Sequence, residues 1–286
     1  MSIFKEIEQQ TGVRILRHEP VSGGDINHAF RLETERGVHF LKFNTDAHAQ
    51  PLLDAERRGL ERLRRSDCLP VPGIVAHGST NLGSYLLLDW IEGGSKTGTA
   101  LRHFGTGLAR LHQQTQDYFG GMADNFIGKL PQSNRTWTDD WAEFYTYDRL
   151  LPHLKAARNR QLLTAEHRRW FDRFAHRLEE LCPAESAALT HGDLWSGNWL
   201  VDTEQRAWLI DPAVSFQHRE MDLGMLTLFG QPGEAFWDAY QSEHPTAPGL
   251  EERLPVYQLY YLLVHVGMFG ARYVPGTVAI LRRFGR

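Results

Sequence analysis

The sequence predicts an α+β chain in two lobes: a small β-rich lobe over residues 1–92 and a larger, mostly helical lobe over residues 93–286. Three observations carry this. Short stretches with strand-like alternation, separated by turn signals, recur up to Trp90. Gly93-Gly94-Ser95 then marks a hinge. Beyond it, apolar residues recur at helical spacing. A groove between two such lobes is a natural place for a small ligand.

Taken in order, Val13–Glu19 alternates as a strand should, and Gly23-Gly24 ends it. Ala29–Thr34 and Val38–Phe43 read as a hairpin turning at Glu35-Arg36-Gly37. Ala47 to Arg65 is helical, with Leu52, Leu53, Ala55, Glu56, Leu60 and Leu63 near one face; Pro51 is tolerated because it falls near the first turn. Ile74–His77 and Tyr85–Trp90 complete the strands of the first lobe, whose only helix in this reading is the one after Ala47. In the second lobe Leu101, Phe104, Leu108, Leu111 and His112 share a helix face. Trp141–Ala157 and Ala165–Leu181 give two more helices, and Phe236–Tyr240 and Leu254–Phe269 a further two. A strand-loop-strand module from Leu189 to Ile210 interrupts them. Trp137, Trp141, Trp195, Trp199 and Trp208 give this lobe an aromatic bias, and most of them are expected in the core.

The 286 residues leave room for two lobes and a cleft. With 31 basic and 35 acidic residues the chain carries no electrostatic footprint for nucleic acid. Two cysteines, Cys68 and Cys182, make no disulfide framework, so a reducing cytoplasm is the expected compartment. No apolar run approaches the roughly 20 residues a membrane span needs, and the N-terminus has no signal-like core. The oligomeric state is open, with a monomer favoured.

The chemistry sits in His191-Gly192-Asp193-Leu194-Trp195-Ser196-Gly197-Asn198 and in Ile210-Asp211-Pro212. Phosphoryl transfer from ATP needs a carboxylate that orients the attacking hydroxyl and oxygen ligands for magnesium on the phosphates. Kinases supply these as Asp-x-x-x-x-Asn followed by an Asp after a strand. Asp193 fits the base, Asn198 and Asp211 the magnesium ligands. His191 is placed to brace the loop, and Asp222 either to hold the loop backbone or to serve as a helix-start carboxylate. Lys42, flanked by apolar residues on a predicted strand, needs a partner, and Glu56 on the next helix is the natural one. In kinases such a pair fixes the α and β phosphates. Gly23, Gly24 and Asp25 lie in a turn where backbone amides can approach phosphate. Backbone groups of Asp89, Trp90 and Ile91 are placed by position alone to meet an adenine edge, and a buried strand of the small sheet would satisfy this stretch equally. Trp195 forms a wall for substrate or packs. His112-Gln113-Gln114 reads as helix-end polar groups, and His265 as a satisfied core histidine.

These residues resemble the fructosamine kinase, or ketosamine-3-kinase, family, a branch of the protein-kinase-like fold that also holds aminoglycoside phosphotransferases. The resemblance runs nearly end to end. It is carried by Ser22-Gly23-Gly24-Asp25-Ile26-Asn27, Glu56-x-x-Gly59-Leu60, Leu108-Ala109-x-Leu111-His112, Asp124-Asn125-Phe126-Ile127-Gly128-x-x-Pro131-Gln132-x-Asn134, the His191–Asn198 segment, Asp211-Pro212-Ala213 and His218-Arg219-Glu220-x-Asp222. The resemblance implies ATP- and magnesium-dependent phosphorylation of the 3-hydroxyl of ketosamines, free or protein-bound, which returns free amine in a deglycation role. Bacterial-type members favour ribulosamines and erythrulosamines over fructosamines. Asn125 and Gln132, in an amide-rich stretch suited to sugar hydroxyls, are candidate substrate contacts together with Trp195. Ser215-Phe216-Gln217 and Gln231-Pro232 depart from the usual family pattern near the expected acceptor side, which puts the sugar preference in doubt. The nucleotide loop has no cysteine, so no redox control is expected through it.

Three other readings compete. A kinase of an aminoglycoside or choline would share the Asp-Asn-Asp core, but an aminoglycoside site should be strongly acidic. A non-catalytic nucleotide-binding scaffold usually lacks one of Lys42, Glu56, Asp193, Asn198 and Asp211, all present here. A protein kinase would carry an Ala-Pro-Glu segment after Asp211, and none is recognisable.

Overall fold

The computed structural model describes residues 2–21 and 27–286. Helix α1 (Ile3–Thr11) leads into β1 (Ile15–Pro20), and the hairpin β2 (His28–Thr34) and β3 (Gly37–Asn44) follows. Next come α2 (Ala49–Ser66), β4 (Ile74–Thr80) and β5 (Gly83–Asp89). The strands form one antiparallel sheet in the order β1-β2-β3-β5-β4. Because side chains alternate across a strand, each face has its own cover. Leu32, Leu41, Phe43, Tyr85 and Leu87 pack with Ile7 of α1, whereas Leu86 and Leu88 pack with Leu53, Leu60 and Leu63 of α2. Lys42, between Leu41 and Phe43, therefore projects toward α2. Among the described residues the lobe holds two helices rather than the one expected; α1 is a nine-residue helix that buries only Ile7 fully, too little to mark a face in the sequence.

The hinge is stitched to the second lobe. The Gly94 N–H donates to the Val201 carbonyl at 2.7 Å, and a Cβ on Gly94 would stand 2.1 Å from the Asp202 carbonyl oxygen. Helix α3 (Gly98–His112) begins on the Thr97 side-chain cap.

Short strands follow: β6 (Thr115–Gln116), β7 (Phe119–Gly120), the pair β8 (Asn125–Ile127) and β9 (Leu130–Gln132), and β10 (Trp137–Thr138). The stretch expected as one helix from Trp141 is α4 (Trp141–Phe144), a π-helical segment (Tyr145–Leu150) and α5 (Leu151–Asn159) in unbroken succession. The next expected helix is split into α6 (Ala165–Ala175) and α7 (Leu178–Leu181). Strands β11 (Ala187–Thr190), β12 (Trp199–Val201), β13 (Ala207–Leu209) and β14 (Ser215–Gln217) come next. Helices α8 (Glu220–Leu228), α9 (Glu234–Glu243), α10 (Leu250–Phe269), a 3-10 turn (Gly270–Tyr273) and α11 (Val274–Gly285) finish the chain.

A second antiparallel sheet, ordered β10-β7-β14-β11-β6, lies inside this helical lobe. Its strands have two to four residues each, below the length at which alternation is legible. Of Trp137, Trp141, Trp195, Trp199 and Trp208, only Trp141 and Trp199 are buried, against the expectation that most would be; Trp137 is 66% and Trp195 41% exposed. No helix among the described residues is long and apolar enough to cross a membrane.

Candidate active site

The site is built on the turn that follows β11. Gly192 has φ +85°, and a Cβ there would stand 2.1 Å from the Ala213 carbonyl oxygen, so the chain after Asp211 closes directly onto the loop. Asp222, in the first turn of α8, accepts from the N–H groups of His191 (2.7 Å) and Gly192 (2.8 Å). The Tyr261 hydroxyl on α10 donates to the Gly192 carbonyl at 3.0 Å. His191 Nε2 donates to the Ile210 carbonyl at 2.8 Å, and its Nδ1 accepts from the Asp193 N–H at 3.2 Å. The bracing expected of His191 and the backbone-holding alternative for Asp222 are both seen. Burial depresses the His191 pKa, which suits a neutral ring with one donor and one acceptor nitrogen.

Asn198 lies across this loop. Its Nδ2 donates to the Asp193 carbonyl (2.8 Å) and to Asp193 Oδ2 (3.1 Å). Both amide hydrogens point back at Asp193, so the Asn198 oxygen faces away from it. Asp193 keeps partial exposure to the cleft while packed deeply among protein atoms. Burial, then the charge of Asp211, pushes its carboxyl up to about 7, against the opposing hydrogen bond from Asn198.

Lys42 joins the lobes. Its Nζ donates to Glu56 Oε1 at 2.8 Å and to Asp211 Oδ1. Lys42 is 5% and Glu56 8% exposed, whereas the Asp211 side chain is 40% exposed to the cleft. Burial penalises both charges of the Lys42–Glu56 pair, and the two carboxylates hold the Lys42 ammonium protonated. Asp211 itself has φ +54°, a left-handed conformation that turns the chain sharply before Pro212. Helix α2 rests on that turn: a Cβ on Gly59 would meet Pro212 Cγ at 3.0 Å.

The other predicted residues fall variously. Gly23, Gly24 and Asp25 lie outside the described residues. The Asp89 N–H donates to the Gly73 carbonyl (2.8 Å) and the Trp90 N–H to the Val38 carbonyl (3.3 Å), so the sheet uses these two donors. Trp195 stands over Gly197, where a Cβ would lie 2.4 Å from its ring. Asn125 donates to the Val214 carbonyl (2.9 Å). Gln132 donates to Asn125 Oδ1 (2.8 Å) and accepts from the Tyr260 hydroxyl (2.5 Å). These two amides thus support the segment after Asp211 from below. Ser215 and Gln217 are buried in β14, where both accept from the Arg149 guanidinium.

Sequence reasoning missed two supports. His112, read as a helix-end polar group, is fully buried; its Nε2 donates to Asp222 Oδ2 (3.2 Å) and its Nδ1 contacts the Tyr240 hydroxyl (2.8 Å). The signal was its position on the same apolar face as Leu108 and Leu111. Lys96 stacks its ammonium 3.6 Å above the Trp199 ring and lies 3.4 Å from the Ser196 carbonyl, tying the hinge to the catalytic loop. No periodicity marks such a residue.

Two lobes with a buried lysine–glutamate pair above an Asp-Asn-Asp cluster define a phosphotransferase of the protein-kinase-like fold. The likeness extends to an aminoglycoside phosphotransferase in ternary complex with AMP-PNP and hygromycin B. That structure has a TM-score of 0.65 and 19% identity over 99% of this chain and 98% of that one, a likeness of fold. The fructosamine kinase family profile matches residues 1–285, and the chain belongs to that family of ATP-using kinases. A Lactiplantibacillus plantarum protein named a probable ketoamine kinase is 40% identical over 93% of each chain. The chloroplastic protein-ribulosamine 3-kinase of Arabidopsis thaliana is 34% identical over 91% of this chain and 80% of its own. A Thermobifida fusca crystal structure with a provisional fructosamine-3-kinase name superposes with a TM-score of 0.88 and 35% identity, over 98% of this chain and 97% of that one.

Proposed function

We propose that this enzyme transfers the γ-phosphoryl group of ATP to the 3-hydroxyl of a ketosamine, in a deglycation role. The family match and the ketoamine and ribulosamine kinase names of its relatives support this reading. The observation that carries the chemistry is Lys42 bridging Glu56 and Asp211 above an Asp193 carboxylate pinned by Asn198. In this reading residues 1–92 cap the nucleotide and residues 93–286 hold the acceptor.

Each residue then has a task. Lys42, held by Glu56, meets the α and β phosphates. Asn198 occupies one oxygen of Asp193, leaving the other to accept the proton of the sugar hydroxyl and aim it in line with the γ phosphate. Such positioning is most of what a loose phosphoryl-transfer transition state asks of a protein. Of the hinge residues Asp89, Trp90 and Ile91, we assign the adenine-facing N–H to Ile91, since those of the other two are used in the sheet. We assign the Gly23-Gly24-Asp25 segment to the phosphates and the exposed Trp195 ring to the sugar.

The donor set fits magnesium. Among the described residues no cluster of three or more His, Cys, Asp or Glu side chains forms a metal cage. Asp211 and Asn198 instead offer one oxygen-bearing side chain each, as magnesium shared with nucleotide phosphates requires. Held there, the metal would neutralise charge developing on the phosphates.

The test is ATP consumption with magnesium against ribulosamine, erythrulosamine and fructosamine derivatives of lysine, with choline and an aminoglycoside as controls. Ketosamine-dependent ADP release is the expected result. Turnover confined to a control acceptor, or absent on all, would reject the ketosamine reading.

A further inference from the structure

Two tyrosines side by side on α10 reach the two halves of the active site. The Tyr261 hydroxyl holds the Asp193 loop through the Gly192 carbonyl. Tyr260 is equally buried, with its ring centroid 5.0 Å from that of Tyr261 and 5.5 Å from that of the His153 imidazole. Successive residues of a helix point about 100° apart, so the two hydroxyls leave α10 in different directions. That of Tyr260 meets Gln132 Oε1 in β9 at 2.5 Å.

Gln132 is 3% exposed, and its whole amide is engaged. Nε2 donates to Asn125 Oδ1 (2.8 Å) and to the Ala213 carbonyl (3.4 Å), and the Asn125 amide donates in turn to the Val214 carbonyl (2.9 Å). A carbonyl only accepts, so the Gln132 NH2 must face Ala213 and its oxygen must take a hydrogen from Tyr260. The tyrosine therefore fixes which way this amide is turned. Without the hydroxyl a buried oxygen loses its donor, an unfavourable state that the amide relieves by turning away from Ala213. Ala213 and Val214 follow Asp211 by two and three residues. The two held segments also meet, since the Ala213 N–H donates to the His191 carbonyl at 2.9 Å. One helix thus holds both sides of the junction between the Asp193 loop and the Asp211 turn.

We infer that Tyr260 is a positioning residue for Asp211: acting through Gln132, it holds the chain after Asp211 where that carboxylate meets magnesium and nucleotide, while Tyr261 holds the loop of Asp193. This rests on the reading of Asp211 as a magnesium ligand and not on the identity of the acceptor.

The experiment is calorimetry of AMP-PNP binding over a magnesium series, with the wild type, Tyr260→Phe, Tyr261→Phe, Gln132→Met, the Tyr260→Phe/Gln132→Met double variant and Asp211→Asn. Tyr260→Phe keeps the ring and removes one hydroxyl. It should raise the magnesium concentration for half-maximal binding about fivefold to tenfold, the scale of one buried hydrogen bond, while binding in EDTA stays at the wild-type level. Tyr261→Phe should leave the magnesium midpoint where it is. The double variant should match Gln132→Met, because the hydroxyl then has nothing left to act through. If Tyr260→Phe does not fold, Gln132→Met carries the same expectation for the midpoint. An unmoved midpoint, an equal shift in Tyr261→Phe, an equal loss with and without magnesium, or additive effects in the double variant would overturn the inference. If Asp211→Asn itself leaves the midpoint unmoved, the magnesium reading fails instead.

Discussion

At the scale of single residues, the centre depends on side chains that restrain one another. In the proposed mechanism one carboxylate oxygen of Asp193 must be free to face the acceptor, and the Asn198 amide binds the other. Burial and the nearby Asp211 charge raise its pKa, giving it affinity for a proton near neutrality. Asp193→Asn keeps the size of the side chain and removes the base. Its kcat should fall at least about a hundredfold, the usual scale for general-base loss, with little change in Tm. ADP release under saturating ATP measures it, and a variant with near-normal kcat would remove Asp193 from the chemistry. Asp193, Asn198 and Asp211 could be proposed from the sequence because their spacing along one short stretch is what the proposed reaction needs, and the structure brings Asn198 onto Asp193 and Asp211 onto Lys42. Lys42 and Glu56 were legible because a lysine between apolar strand residues needs a counter-charge.

At the scale of elements, the site depends on backbone contacts between segments far apart in the chain. The hinge lies so close to the β12–β13 hairpin that Gly94 has no room for a side chain, whereas a Cβ on neighbouring Gly93 would meet nothing within 4 Å among the described residues. Gly94→Ala should therefore push the hinge off the hairpin that follows Asn198. A Tm lower by roughly 5 °C, the scale of overpacking by one methyl, and a reduced kcat are expected, while Gly93→Ala should behave as wild type. Thermal melts and initial rates of both variants check this, and equal behaviour of the two would refute the close contact. Such contacts are invisible to periodicity: the sequence marked Gly93-Gly94-Ser95 as a hinge but not which glycine is essential. Of the five short strands of the second sheet only β11 falls in an expected strand, and the other four were missed for a related reason, since the sheet's order joins segments up to about a hundred residues apart.

At the scale of the whole molecule, the large lobe buries several histidines in neutral form. Burial lowers the pKa of His153, His191 and His218, and for His153 burial and then the Arg149 charge bring it down to about 4 from 6.5. A histidine depressed in the folded state is protonated more readily once unfolded. Its contribution to stability is full above pH 6.5 and is lost as pH falls from there toward 4. The Tm should drop across that window, and His153→Gln should make the drop shallower. Melting curves at pH 7, 6, 5 and 4 test it; a flat Tm, or an unchanged slope in the variant, would count against neutral burial of His153.

The sequence alone determined the α+β, protein-kinase-like fold class and the phosphoryl-transfer chemistry, and it marked the candidate residues for that chemistry. A phosphoryl-transfer centre needs particular side chains at particular spacings, and amphipathic elements declare their period locally. Tertiary structure decided what those residues rest on: His112 and Tyr261 under the loop, Lys96 across the hinge, and Asn125 and Gln132 as supports beneath the Asp211 segment. These roles arise where elements distant in sequence meet. There a polar group buried without a partner is costly, and only the packed molecule shows which partner it has found.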